Sequence, residues 1–483
     1  MRRLLLPLAL AAIILAGCGN DPVSPPTIVI PGADEPVVYS KHIAPIFAAS
    51  CAGSECHSGA GAQRGLSFDS WTTTMTGGEF GAVVVPFAPL KSHLLQHISN
   101  DTAIAPLASP RMPLGRDALP REQMLTIKRW ILEGAKSDAG EIALSGARPR
   151  VLVTNQAEDL IAAIDLETQR VARYISVGRR PDASSAPESP HNIIVSPDGR
   201  YFYINLIAAG EIEKYDATTF AKLGSAAVGL SPAQIAITAD GATLYVSNFD
   251  MTMTQRFITR VDAATMTVVD DIETGGYAPH GVALGPDETR LYTTNAGSDD
   301  ISEIDAATGD VLRVIPIVPG APLAPSARAV HEPYQGVFVD GGRLFFVTCR
   351  ASAQVRVVDL VEGRVIDSIP VGSRPLILER RSDGGEIWVP NQAAQSVSII
   401  DVATRRVVGT ITGLKTQPHA VAFSPDGRHA FVTCENQTGG DHQHHPIVGA
   451  KTPGIVYVID TATRSILRSI EVGAFAAGIT ITP

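Results

Sequence analysis

From Arg150 onward, one sequence pattern occurs seven times, and this repeat constrains the fold more than any other feature. Each copy has a short apolar run that ends in asparagine or cysteine, followed by a second run that ends in aspartate. Successive copies end 50, 43, 47, 54, 42 and 43 residues apart, a period that accommodates four strands. The repeat predicts an all-β, seven-bladed propeller over residues 150–483. The runs end at Asn155, Asn205, Asn248, Asn295, Cys349, Asn391 and Cys434.

The way in which the repeat is divided predicts how the ring closes. The first copy begins at Val151 without a preceding strand, and residues 477–482 have the pattern of that missing strand. We expect this C-terminal strand to close the propeller, because an open ring would leave backbone groups unpaired at a sheet edge.

One aspartate ends the second run of every copy, and a threonine usually follows three positions later. A carboxylate that recurs in each repeat is typical of a turn acceptor and not of a catalytic group. The seven are Asp165, Asp216, Asp262, Asp305, Asp359, Asp401 and Asp460.

The runs Leu244-Tyr-Val-Ser-Asn248 and Phe345-Phe-Val-Thr-Cys349 resemble the YVTN β-propeller family. The resemblance covers nearly all of residues 150–483 and implies the fold. It leaves function open, because propellers host electron-transfer enzymes, hydrolases and binding modules. The sequence contains no Gly-x-Ser-x-Gly, phosphate-binding glycine loop or His-Glu-x-x-His motif, so these hydrolase and nucleotide signatures offer no assignment.

A second motif precedes the propeller: Cys51 and Cys56 are followed directly by His57. A c-type haem requires two thiols that add to its vinyl groups and a histidine on the next residue that ligates iron. Four residues separate the cysteines here, whereas the common motif has two. A disulfide between the cysteines and a zinc site are the alternatives, and neither explains the position of His57.

A sixth iron ligand is also required, and Met112 is the predicted one. It lies in Arg111-Met-Pro113, where the fixed proline backbone can aim a thioether at iron. The competing candidates are Met75, Met124, His42, His93 and His97.

The surrounding sequence predicts a small all-α domain. Ser40 is a candidate cap for a helix that carries Phe47, and Pro120 opens a second helix that ends at Gly134. The segments Tyr39-Ser-Lys-His-Ile-Ala-Pro-Ile-Phe47 and Ile127-Lys-Arg-Trp-Ile-Leu-Glu-Gly-Ala135 resemble the planctomycete-type cytochrome c domain, over residues 36–136. That resemblance implies one covalent haem c and a His/Met-ligated electron carrier, with the ligand set Cys51, Cys56, His57 and Met112.

The first residues predict export. Arg2 and Arg3 precede an apolar run over 4–15, which is typical of a secretory signal. Leu15-Ala-Gly-Cys18 resembles the bacterial lipobox, which implies lipidation of Cys18; an ordinary signal cleaved near Ala16 is the alternative. Residues 1–18 are therefore the predicted signal and lipobox, 19–35 a flexible tether and 137–149 the linker between domains. We expect a lipid anchor at the periplasmic face of the outer membrane or at the cell surface.

Several potential ligands fall on one face of the propeller, where the long insertions lie. This face is the candidate working face, because loops on a rigid scaffold commonly carry function. The donors could form a copper or zinc site; the alternative is hydrogen-bonded histidines, buried thiols and a solvated loop. They are His191, His280, His419, Cys434, His442, His444 and His445.

Together these features predict an exported mono-haem cytochrome whose propeller docks a redox partner protein or binds a small electron donor or acceptor. Two alternatives are a periplasmic oxidoreductase with a second cofactor or copper on the propeller, and a propeller attachment protein with a non-functional haem domain. An electron carrier is favoured over a self-contained enzyme. The formal net charge of -10 argues against a nucleic-acid partner.

Overall fold

The computed structural model describes residues 27–52, 56–179, 186–318, 329–437 and 452–483. The predicted lipidation site Cys18 and the loop histidines His442, His444 and His445 lie outside these residues. Within the described ranges, no helix combines the length and apolarity needed to cross a bilayer.

A small helical segment precedes the propeller. Its α-helices are α1 (Ala44–Ser50), α2 (Trp71–Thr76), α3 (His93–Ile98) and α4 (Arg121–Leu132), with a π-helical turn over Tyr39–Ile43 and 3₁₀ turns over Gln63–Gly65 and Pro89–Lys91. The rings of Phe47 and Trp130 lie 6.3 Å apart in its core. This aromatic contact packs α1 against α4.

The two predicted helix boundaries have different outcomes. Helix α4 begins after Pro120 and is followed by Gly134, whose φ of +103° favours glycine. The predicted Ser40 cap is wrong: Ser40 lies within the π-helical turn, and no side-chain cap bond begins that turn or α1. The Ser40 N–H instead donates to Asp138, so a contact distant in sequence determines the start of the helix.

The rest of the described chain forms seven four-stranded antiparallel sheets, which confirms the predicted seven-bladed propeller. The innermost strands of neighbouring blades contact one another around a central channel. From the innermost strand outward, the first four blades are β28 (Ala476–Ile481), β1 (Arg150–Asn155), β2 (Leu160–Asp165), β3 (Arg170–Ser176); β4 (Pro190–Val195), β5 (Tyr201–Leu206), β6 (Glu211–Asp216), β7 (Lys222–Ala227); β8 (Pro232–Ile237), β9 (Thr243–Asn248), β10 (Phe257–Asp262), β11 (Thr267–Glu273); β12 (Pro279–Leu284), β13 (Arg290–Asn295), β14 (Asp300–Asp305), β15 (Val311–Pro316).

The remaining three blades have the same order, with a 3₁₀ turn over Asp340–Gly342 in the first of them. They are β16 (Pro333–Val339), β17 (Leu344–Cys349), β18 (Gln354–Asp359), β19 (Arg364–Pro370); β20 (Glu379–Arg380), β21 (Glu386–Asn391), β22 (Ser396–Asp401), β23 (Arg406–Ile411); β24 (Pro418–Phe423), β25 (His429–Cys434), β26 (Pro453–Asp460), β27 (Ile466–Ala474).

A hydroxyl group in the second strand of most blades bridges that blade to the next. The Thr294 hydroxyl accepts from the N–H of Gly281 in its own blade at 2.9 Å and donates to the carbonyl of Tyr334 in the next blade at 2.8 Å. Both backbone groups are buried; the hydroxyl satisfies the N–H of Gly281 and shares the carbonyl of Tyr334 with the imidazole of His280. The same pair of bonds is made by Thr154, Ser247, Thr348 and Thr433.

The asparagine that ends the motif strand is buried and packs against a glycine of the preceding chain segment. In one blade, the Asn295 amide donates to Asp300 and Ser302. A Cβ on Gly276 would lie 2.2 Å from the Asn295 amide nitrogen, so glycine is required there. Asn155, Asn248 and Asn391 make the same close contact with a glycine, so these asparagines have a structural role at the blade end.

The strand-end aspartates accept hydrogen bonds from the turns that follow them. In one such turn, the Asp262 carboxylate accepts from the N–H and the hydroxyl of Thr265. Asp401 accepts the same pair of hydrogen bonds from Thr404, and Asp460 accepts it from Thr463. These contacts are those of a turn acceptor.

The helical segment contacts the first and last blades. Val85 joins the core cluster that contains Val151 and Val472, and the Lys91 ammonium lies 2.6 Å from the Glu158 carboxylate. Arg173 lies over the Phe87 ring, 5.3 Å from its centroid. The segment is thus packed against the propeller by apolar and charged contacts together.

We expect Thr294→Val to lower the free energy of unfolding by about 1–3 kcal/mol, because the substitution keeps the shape and leaves the buried N–H of Gly281 unpaired. Denaturant unfolding measures this. The matched control is Thr410→Val on exposed strand β23, for which a change near zero is expected. Equal effects of the two substitutions would contradict the bridging role.

The strand-end aspartates predict loss of stability in acid. Hydrogen bonds from Thr404 hold the pKa of Asp401 below its ordinary value of 3.8. A carboxyl with a lowered folded-state pKa contributes stability above its unfolded pKa and loses it as pH falls through the folded pKa. We therefore expect the free energy of unfolding to decrease below about pH 4. Asp401→Asn should flatten part of that decrease in a pH series of denaturant titrations, and an unchanged slope would refute its contribution.

Candidate functional site

Helix α1 delivers the first cysteine of the haem-type motif into the core of the helical segment. The Cys51 N–H donates to the carbonyl of Phe47 at 2.8 Å, directly after α1 ends. The Cys51 side chain is 9% exposed, whereas Cys56 is exposed. Burial raises the pKa of the Cys51 thiol to about 12, so it is protonated at neutral pH. Among the described residues neither Cys51 nor Cys56 forms a disulfide.

A hydrogen bond from Nδ1 assigns the tautomer of the His57 ring. Its Nδ1–H donates to the carbonyl of Leu66 at 3.2 Å, which leaves the lone pair on Nε2. Metal-ligating histidines commonly donate their other ring N–H to a backbone carbonyl in this way. The edge of the ring also meets Phe68, with the two centroids 5.5 Å apart.

Met112 reaches the same apolar cluster as the cysteine motif. It is partly buried and packs against the cluster that contains Cys51 and Phe68. Helix α3 holds its loop: the Met112 N–H donates to the carbonyl of His97 at 2.7 Å, and His97 Nδ1–H donates to the carbonyl of Pro110 at 2.8 Å. Donors for both axial positions therefore border one apolar core, and this donor set fits a c-type haem.

The competing ligand candidates are in different environments. Met75 and Met124 are buried in the core cluster. His42 Nδ1 accepts the N–H of Val38 at 2.9 Å, so this nitrogen's lone pair is already engaged. His93 lies with its ring 6.1 Å from that of His97. His97 keeps its Nε2 lone pair and remains the principal competitor of Met112.

Three histidines meet at one end of the propeller channel. The His191 ring lies 5.9 Å from that of His280 and 5.2 Å from that of His419, measured between centroids. All three line a cavity of about 570 Å³ at the channel mouth. A second cavity of about 260 Å³ continues along the channel and shares His191 and His419 with the first.

The three imidazoles differ in their hydrogen-bond partners. His280 Nδ1–H donates to the carbonyl of Tyr334 at 2.9 Å, and His191 Nδ1 faces the side-chain amide of Gln156. Burial lowers the pKa of His191 to about 3 and holds that of His280 well below its ordinary value. Both rings are therefore neutral at physiological pH.

The third histidine forms a buried pair with a carboxylate. His419 Nδ1–H donates to Glu435 Oε1 at 2.7 Å, and Gln392 and Gln437 donate to the same carboxylate. Burial acts to raise the pKa of Glu435, but these hydrogen bonds and the nearby imidazole together hold it below its ordinary value. Glu435 is thus ionised, and it fixes the proton of His419 on Nδ1.

The structure does not support the predicted copper or zinc site. In the described part of the chain, no group of three or more His, Cys, Asp or Glu side chains has a metal-binding arrangement. Cys434 is fully buried in the cluster of Trp388 and Ile455, and Cys349 in that of Phe345 and Val358. Both thiols face apolar cores, so they act as small hydrophobic side chains.

Sequence reasoning missed a second ring of cavity residues. The residue directly after the strand-end asparagine or cysteine lines the cavity in five blades. Its identity varies between amide, aromatic, cationic and anionic, and this variation at one position of a regular repeat is the signal that could have revealed it. The five residues are Gln156, Phe249, Arg350, Gln392 and Glu435.

Two family models match this chain. Residues 54–106 match the model described as Planctomycete cytochrome C, and residues 207–318 match Lactonase, 7-bladed beta-propeller. Both predicted resemblances are therefore confirmed: the chain contains a planctomycete-type cytochrome c segment and a seven-bladed propeller of the lactonase/YVTN type. The first match includes Cys56 and His57, whereas Cys51 and Met112 lie outside it.

A curated relative is the uncharacterized protein YncE of Salmonella typhi, 27% identical over 214 residues, which are 43% of this chain and 56% of YncE. The chain thus spans about half the length of that relative. Among solved structures, the periplasmic gluconolactonase PpgL of Pseudomonas aeruginosa superposes with a TM-score of 0.53 at 18% identity, covering 69% of this chain and 99% of PpgL. The hydrazine synthase of Kuenenia stuttgartiensis has a TM-score of 0.50 at 21% identity, covering 64% and 92%. At these identities the structures share the fold.

Proposed function

We propose that this protein is an exported c-type cytochrome in which residues 36–136 hold one covalent haem and the propeller over 150–483 docks an electron-transfer partner. The orientation of His57 carries the proposal: its Nδ1–H is engaged by Leu66, and its Nε2 is left to ligate iron. A match to the cytochrome family model over residues 54–106, which include Cys56 and His57, supports the same conclusion. A redox partner protein or a small donor or acceptor completes the electron path.

Residues of this chain would hold the haem through different contacts. Cys51 and Cys56 would supply the thiols that hold the haem covalently, and His57 and Met112 would ligate its iron. When bound, the haem supplies one-electron Fe(II)/Fe(III) chemistry. The carbonyl of Leu66 fixes the His57 ring. Phe47 and Phe68, with ring centroids 4.7 Å apart, contribute apolar surface that excludes water beside the Cys51 side chain.

The first test is a reduced-minus-oxidised absorption spectrum of the full chain after maturation with the c-haem machinery. We expect a covalent low-spin haem in the wild type and its loss in the double variant Cys51→Ala/Cys56→Ala, because no thioether can form. Cys349→Ala is the matched control: this thiol is in the propeller core, so the haem should be retained. A wild-type protein without covalent haem would refute the cytochrome assignment.

The axial ligand is tested separately. We expect Met112→Ala to lower the haem reduction potential and to alter the low-spin spectrum, because a thioether ligand raises the potential. Met124→Leu replaces a buried methionine of the same cluster and should leave both properties unchanged. If His97→Gln alters the spectrum and Met112→Ala does not, then His97 is the ligand.

Export and lipidation remain part of the proposal. Arg2 and Arg3, the apolar run and the lipobox-like Cys18 support a lipid anchor. We expect the wild type in the membrane fraction of a bacterial host and Cys18→Ala in the soluble exported fraction. Mass spectrometry of the mature N-terminus should find acyl chains on Cys18. An unmodified N-terminus near residue 17 would instead establish an ordinary signal sequence.

Closure of the ring by the C-terminal strand also belongs to the proposal. Residue pairs between β28 and β1, such as Leu152 with Thr480, support it, as does the bond from the Thr433 hydroxyl to the Ala477 carbonyl at 2.6 Å. Such closure pairs an innermost strand with the first repeat and brings chain segments 324 residues apart into one blade.

A further inference from the structure

The cavity at the channel mouth combines an apolar wall with a polar floor. Phe249, Leu376 and Phe475 contribute carbon surface, and the three histidines with Glu435 contribute the polar groups. Its volume of about 570 Å³ lies within the range of small-molecule sites, which typically have apolar walls and a few convergent polar groups. The three histidines lie on the innermost strands β4, β12 and β24, and Phe249 and Glu435 directly follow the second strands β9 and β25, so the site is formed by the scaffold.

One atom in this cavity lacks a hydrogen-bond partner although it is buried. His419 is 4% exposed, and its Nε2 has no partner among the described residues. Its Nδ1–H donates to Glu435, so in the neutral ring Nε2 presents a lone pair. Burial of an acceptor without a partner is unfavourable. A ligand that donates an O–H there would remove this cost.

Charge at the rim indicates the other end of the ligand. Arg374 is exposed, lines the cavity and makes no ion pair with another described residue. Arg350 also lines the cavity, but its guanidinium already pairs with the Glu332 carboxylate at 2.8 Å. The carboxylates in the lining are already engaged: Glu435 by His419, and Asp250 by Thr252 and Thr254. The rim thus favours an anionic group on the ligand.

We propose that this cavity binds a small hydroxylated organic acid. The hydroxyl of the ligand donates to His419 Nε2, its carboxylate pairs with Arg374, and its apolar body packs against Phe249 and Leu376. The inference is independent of the haem, because it rests on propeller residues alone. It also replaces the metal interpretation of the same histidines with recognition of an organic ligand.

Glu435 is a positioning residue in this site. Its ionised carboxylate holds the His419 proton on Nδ1, and Gln392 and Gln437 hold the carboxylate. Glu435→Gln keeps the size of the side chain but allows its amide to donate to Nδ1. The proton would then lie on Nε2 and the acceptor would be lost, as happens when a histidine's carboxylate partner becomes an amide in a catalytic triad.

Calorimetric titration of the full mature chain tests the proposal with three compounds. 4-Hydroxybenzoate carries both recognised groups, benzoate lacks the hydroxyl, and phenol lacks the carboxylate. We expect saturable binding of 4-hydroxybenzoate that is at least about tenfold tighter than that of either analogue, which corresponds to about 1.4 kcal/mol for each contact. Absence of saturable binding, or equal affinity for all three compounds, would overturn the proposal.

Variants separate the two contacts. Arg374→Gln should weaken 4-hydroxybenzoate and benzoate and leave phenol unchanged, whereas His419→Leu should abolish the preference for 4-hydroxybenzoate over benzoate. Glu435→Gln should do the same without removing the imidazole, which covers the case in which His419→Leu fails to fold. His429→Gln, at the opposite end of β25, is the matched control and should bind as wild type. The site assignment is wrong if Arg374→Gln keeps the wild-type preference for 4-hydroxybenzoate over phenol. It is also wrong if every folded variant at His419 and Glu435 keeps the wild-type preference for 4-hydroxybenzoate over benzoate.

Discussion

The hydroxyl bridge between neighbouring blades is the contact on which the rest of the propeller depends. A single serine or threonine in the second strand joins an N–H of its own innermost strand to a carbonyl of the next blade's innermost strand. Side-chain hydroxyls can do this because they donate and accept at once. Two of the carbonyls so held belong to His191 and His280. The hydrogen bonds that join neighbouring blades therefore also fix the backbone positions of these two histidines.

Two positions of the repeat supply most of the channel mouth: the entry of the innermost strand and, in five blades, the residue after the motif asparagine or cysteine. Backbone hydrogen bonds fix both positions, so the side chains there can vary without altering the ring. In the blade of β24 and β25, these positions hold His419 and Glu435, and the fold brings them within 2.7 Å. A uniform scaffold thus produces a site with no internal symmetry, as expected when function is carried by variation on a common fold.

The helical segment and the cavity carry different chemistry. Around Cys51 and Met112 the surroundings are apolar, which suits a cofactor that must be kept from water. The channel mouth instead holds an ionised carboxylate, neutral imidazoles and arginines. Val85, Phe87 and Lys91 fasten the helical segment to the propeller, so the two regions belong to one packed molecule.

The sequence by itself determined the seven-bladed architecture, the turn aspartates and the Cys51, Cys56 and His57 motif. The architecture and the aspartates follow from the period of the repeat, and the motif follows from the local spacing of its residues. Sequence spacing could not show that the Cys434 side chain is buried in a core while that of Glu435, the next residue, faces the channel. Adjacent residues of a strand point to opposite faces of the sheet, and the strand register decides which residue points to which face. Nor could it show that His419 Nε2 has no hydrogen-bond partner among the described residues, or that the Ser40 N–H donates to Asp138 while the Ser40 side chain caps no helix. Those outcomes rest on contacts between residues distant in sequence, and only the tertiary structure brings such residues within hydrogen-bonding distance.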